Sequence, residues 1–188
     1  MKIFSNNQKG FSYIDVMVAI FILMVGILAL VSAITSNLMR TYEAEKRMIA
    51  KQVALSTIES IISAKEISRA GVIDGWDSVG NEGNNPVGGV PKGIFLNGFC
   101  PIREDAGWDG VAGTKDDACT NGGGCNVPGR PINNSEEMKG YSRQVIINDL
   151  NDPERPNTIS RRKITVNINY QVNQAIRNLT MSTIVTNY

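Results

Sequence analysis

The chain has 188 residues, 19 Lys+Arg against 18 Asp+Glu, no histidine, and a hydrophobic content of 42%. That length holds one modest domain and an appendage. Near-neutral charge removes the electrostatic case for nucleic acid or anionic lipid, and the lack of histidine excludes His-dependent triads, imidazole acid–base chemistry and most zinc sites.

The first element is an apolar run. Residues 16–31 read VMVAIFILMVGILALV, and no charge appears from Val16 through Met39. As a helix rising about 1.5 Å per residue, this stretch crosses roughly 30 Å of hydrocarbon. Its apolar side chains lie all round the helix, as lipid contact requires. A basic start (Lys2, Lys9) and the small residues Val31-Ser32-Ala33 also suit a secretory signal released before Ile34. Asp15 at the mouth of the run argues against that, because a carboxylate is costly there and a signal peptide has no use for it. So does the helical pattern, which continues past Ala33.

That continuation covers Thr41 to Ser68. Ala50, Val53, Ala54, Leu55, Ile58, Ile61 and Ile62 recur at steps of three and four, giving an apolar stripe. No proline precedes Pro86, so one helix from about Ile14 to Ala64, roughly 75 Å long, is expected. Its first half suits lipid, and its second half needs a globular partner.

The stretch Lys9-Gly10-Phe11-Ser12-Tyr13-Ile14-Asp15-Val16-Met17-Val18-Ala19 and the apolar helix behind it resemble the N-terminus of type IV pilin-like proteins. The resemblance implies a leader (1–10) cut between Gly10 and Phe11 by prepilin peptidase, with Phe11 then N-methylated. It implies a transmembrane and filament-core segment at 11–39 and an amphipathic continuation at 40–70. It assigns Asp15 to assembly, pairing with the Phe11 amine of a neighbouring subunit. The family usually has Glu at that place and Leu where this chain has Tyr13; the shorter Asp has less reach. The absence of a helix proline and the wording Ser-Tyr-Ile-Asp-Val-Met are most like a PilV-type minor pilin, a type IV pilus modification protein. Partners implied are prepilin peptidase, other pilins through the helix, and the bacterial inner membrane before assembly, with no nucleic acid. The head would be periplasmic, then exposed on a pilus or the cell surface. A pseudopilin of a type II secretion system is the alternative within the same resemblance.

The middle, 71–140, holds most of the glycines, both tryptophans and all three cysteines. Such a long irregular region is commonly functional, disordered or stapled. Cys119 and Cys125 flank Thr-Asn-Gly-Gly-Gly and suit a small disulfide ring; Cys100 with either of them is equally open in an oxidising compartment. Asp105, Asp109, Asp116 and Asp117, with the Val111 carbonyl, offer oxygen ligands of the kind calcium takes. They do not follow EF-hand spacing, and a solvated acidic turn is the commoner explanation for such a loop. A secreted or membrane-anchored calcium-binding module outside any filament is therefore a further alternative.

Beyond Tyr141 the period becomes two. Ile164, Val166, Ile168, Tyr170 and Val172 alternate with Lys163, Thr165, Asn167, Asn169 and Gln171, a half-buried strand. Tyr141–Leu150 and Arg177–Thr186 are its expected neighbours across short turns, in an antiparallel meander. The fold class expected is α+β: one long N-terminal helix packed on an antiparallel sheet of about three or more strands in 141–188, with a long Gly-rich loop between. No phosphate-cradling fingerprint or nucleophile signature is present, and the adjacent acids Asp116 and Asp117 lie in a flexible segment poorly suited to catalysis. The expectation is a structural subunit with no catalytic residue.

Overall fold

The computed structural model describes residues 10, 12–66, 75–83, 86–87, 90–91, 93–107, 109–117, 135–152, 154–155 and 159–187. The chain divides into two compact units, Met1–Ala44 and Glu45–Tyr188. The architecture is α+β, with one long apolar N-terminal helix and a four-stranded antiparallel sheet.

Helix α1 runs Tyr13–Glu66 without a break. Apolar residues of good helix propensity fill it, and no proline removes a backbone donor. In the first unit its side chains are exposed throughout, from Tyr13 to Met39. Two hydroxyls there bond within the helix: Thr35 donates to the Val31 carbonyl at 2.9 Å and Thr41 to the Asn37 carbonyl at 3.0 Å. Such back-bonding spares a polar side chain the need for water.

The second unit holds the end of α1, the single turn α2 (Gly75–Ser78), a small hairpin of β1 (Pro86–Val87) and β2 (Val90–Pro91), and the main strands. These are β3 (Cys100–Arg103), β4 (Glu137–Asn151), β5 (Ile159–Val172) and β6 (Ala175–Thr186), ordered β3-β4-β5-β6 with every pair antiparallel. The Gly-rich middle therefore contributes a strand of its own, β3, beyond the three expected from period two. Val145 faces Val166, Ile147 faces Ile164, and Ile168 faces Leu179, so one face of the sheet is largely apolar.

Ala50, Ala54, Ile61 and Ala64 of α1 are fully buried in the same core as those strand residues. Three of these four buried residues are alanines. The buried stripe is narrower than the sequence period suggests. Thr57 and Ala64 join it, whereas Leu55 and Ile62 stay 40% exposed. A two-residue turn joins β5 to β6, with Asn173 at φ 55°, a conformation Asn tolerates better than most residues.

Candidate functional site

The start of α1 is built as a helix cap. Ser12 precedes the first helical residue, and its carbonyl accepts from the Asp15 and Val16 amides at 3.0 and 3.4 Å. Asp15 stands at the third helical position and its Oδ2 accepts from the Ser12 amide at 3.3 Å. This is the reciprocal half of a capping box, with a carboxylate where the helix dipole is positive. Gly10 is exposed, and a Cβ built on it meets nothing within 4 Å. Phe11 lies outside the described residues. Behind the cap, α1 is long and apolar enough to cross a membrane, and none of its most apolar window is buried. That pattern is compatible with a single-pass membrane protein.

The acidic segment folds as a sequence of tight turns. Asp105 Oδ1 accepts from the Gly107 amide at 3.2 Å, and Asp109 Oδ1 from the Val111 amide at 2.7 Å. Asp116 Oδ2 accepts from the Asp109 amide at 3.1 Å. Thr114 Oγ1 lies within reach of Asp116, Asp109 and the Val111 carbonyl, and its single hydrogen serves one of them at a time. Gly107, at φ +74°, is required here because the Asp116 carboxylate occupies the space of a Cβ.

Asp117 turns inward. Its Oδ2 accepts from the Gly113 amide at 2.7 Å and from the Arg143 guanidinium at 2.5 Å. Arg143 reaches Thr57 on α1 at 3.3 Å with its other terminal nitrogen. One buried group thus joins the acidic turn, β4 and α1. Burial pushes the Asp117 carboxyl up to about 6, against the downward pull of Arg143 and the Gly113 amide. The four sequence candidates for calcium are accordingly engaged as acceptors for backbone amides and Arg143. Among the described residues, no three acidic or cysteine side chains converge as a metal site.

A cavity of about 290 Å³ opens beside this pair, lined by Val53, Ser56, Ile102, Arg103 and Met138 with Asp117 and Arg143. It is at the small end of ligand-sized cavities. Cys100, at the start of β3, carries a free, half-buried thiol. Burial pushes that thiol up, Asp117 adds to the push and Arg143 opposes it. The remaining disulfide candidates, Cys119 and Cys125, lie outside the described residues.

Sequence reasoning passed over Arg143, Asn81 and Arg162, all buried. Asn81 Nδ2 donates to the Val145 carbonyl and its Oδ1 accepts from the Ile147 amide, each at 2.8 Å. Its amide thereby finishes the β4 edge where β3 has ended. Arg162 holds α2, stacking 4.3 Å from the Trp76 ring, donating to the Trp76 carbonyl, and pairing with Asp149 at 2.8 Å. Both arginines occupy inward positions of their strands, which is the signal that was available. Comparison with models of known families, with curated proteins and with solved structures finds no match for this chain.

Proposed function

We propose that the chain is a minor pilin-like structural subunit, stored in a membrane through the first part of α1 and recruited into a type IV pilus. The observation that carries this reading is one unbroken helix. It opens on a capped carboxylate at Asp15, continues as a fully exposed apolar span, and buries its later face on an antiparallel sheet. So long an uncovered apolar span calls for lipid or for other helices like itself. Leaving the bilayer becomes favourable only when neighbouring subunits cover the same surface. Asp15 would then meet a neighbour's Phe11 amine inside an apolar bundle, where pairing decides whether a charge is tolerated.

The reading requires processing at Gly10. Mass measurement of the mature N-terminus should find a methylated Phe11, and Gly10→Val should leave a full-length, membrane-retained chain. A native protein that keeps Met1, or that begins at Ile34 in the soluble fraction, would refute it.

A further inference from the structure

The two edges of the main sheet are finished differently. On one side β3 is four residues long, contains Pro101, and pairs with β4 through a register shift between Pro101 and Arg103. Asn81 closes the stretch of β4 that β3 leaves open. These are the usual ways of blunting a sheet edge. On the other side β6 runs for 12 residues in unbroken register with β5, with no proline and Arg177 as its one charge. Among the described residues, no strand lies beyond it. In an antiparallel edge strand, alternate residues turn their N–H and C=O groups away from the sheet, so β6 offers a ready template for another strand.

The side chains of β6 indicate what that strand is. We infer that β6 is a homotypic edge, on which a second copy of this chain pairs antiparallel about a two-fold axis at Thr180. Residues that face one another in such a pair share one side of the sheet. Centred on Thr180, the pairing sets Leu179 against Met181 on the inner side. On the outer side it sets Ile176 against Ile184 and Asn178 against Ser182, so apolar meets apolar and polar meets polar. Ile176 and Ile184, 74% and 57% exposed, are the most exposed large apolar side chains of the sheet. Leu179 and Met181 are half-buried and would be covered by the same step. Thr180, already bonded to Asn167 at 2.8 Å within a ladder that continues to Gln144, would meet its own copy. The two Arg177 side chains fall six residues apart along the strands, roughly 20 Å, so they do not repel.

The β3 edge of another copy is a poor match, being short and bulged, which leaves the isologous pairing. Its size predicts its strength. Eleven paired residues make a contact roughly 37 Å long and 10 Å deep, or about 750 Å² over both partners. That is below the 1,200–2,000 Å² or so of stable dimers, so the pair is weak between free molecules.

The test uses the full chain in detergent at high protein concentration. Thr180→Cys should give an oxidised dimer, because directly opposed strand residues have Cα atoms about 4.5–5.5 Å apart, within disulfide reach. Ser182→Cys, roughly 13 Å from its copy in this register, should not. Adding Ile184→Lys, an exposed change, to Thr180→Cys should lower the dimer yield about tenfold. The inference is overturned if Thr180→Cys crosslinks no better than the wild-type chain, or if Ser182→Cys crosslinks equally well. Either failure would leave processing at Gly10 untouched, so this pairing and the pilin reading fail separately.

Discussion

The Arg143 guanidinium closes on the Asp117 carboxylate at 2.5 Å, with the two residues only 5% and 2% exposed. The pair ties the acidic turn to the middle of β4, and through Thr57 to α1. A buried pair of this kind is not a reliable source of net stability, since desolvation offsets its attraction. Its removal by halves is another matter. Arg143→Met leaves Asp117 buried without its cation and should cost about 3–5 kcal/mol. Joining Asp117→Leu to Arg143→Met should recover much of that loss. Denaturant unfolding of wild type and the two variants, followed by near-UV circular dichroism, checks the ordering; a double variant no better than the single would contradict it.

The same carboxylate sets a pH dependence of definite sign. Burial raises Asp117 from 3.8 to about 6, so the folded state holds its proton more tightly than the unfolded state does. Its contribution is fully present below about pH 4 and is lost as pH rises through 6, at most about 3 kcal/mol. Asp152 works the other way. The Glu154 amide and the Ser160 hydroxyl hold it below its ordinary value, and that contribution is lost on acidification. Comparing wild type with Asp117→Asn isolates the first effect. Wild type should exceed the variant by more at pH 4.5 than at pH 7, and an equal margin at both would be inconsistent with the assignment.

Asn81 makes the sharpest prediction about the sheet. Its amide supplies one donor and one acceptor to β4, where a further strand would otherwise be needed. Asn81→Ala leaves the Ile147 amide and the Val145 carbonyl buried and unmet, at a cost of about 2–4 kcal/mol. Asn81→Asp keeps the acceptor but sets an oxygen against the Val145 carbonyl, and should be at least as damaging. Hydrogen exchange at Ile147 reports the lesion directly: its protection should fall in both variants, ahead of any loss along the β5–β6 pairing.

How far the sequence speaks depends on whether a residue's role follows from its period. The alternation from Ile164 to Val172 reads as a strand because a half-buried sheet imposes period two, and the structure pairs it on both sides. The apolar run and the stripe on α1 are legible for the same reason. Arg143 and Arg162 occupy the inward phase of β4 and β5, where a charge breaks the pattern; that break was the available sign of a buried ion pair, but it cannot name the partner. Asp117 and Asp149 are fixed by tertiary placement alone. Strand β3 is hidden because four residues containing a proline carry almost no period. The carboxylates at 105–117 read in sequence as a solvated acidic turn or as oxygen ligands; that each accepts from a nearby amide or meets Arg143 depends on turn geometry that no period encodes.

Asp15 can be asked which of its two roles matters. In the isolated chain it caps the Ser12 amide at 3.3 Å, a local task worth about 1 kcal/mol at an exposed helix end. Asparagine has a side-chain oxygen of the same reach and should cap nearly as well, yet carries no charge. Asp15→Asn therefore separates the cap from the proposed pairing with a neighbour's amine. If the charge governs assembly, the variant is cut after Gly10 and melts like wild type, but is missing from sheared pili. Asp15→Glu should restore its presence there, because it keeps the charge and lengthens the reach. An Asp15→Asn subunit found in filaments at the wild-type level would reduce Asp15 to a helix cap and leave registration to the apolar surface alone.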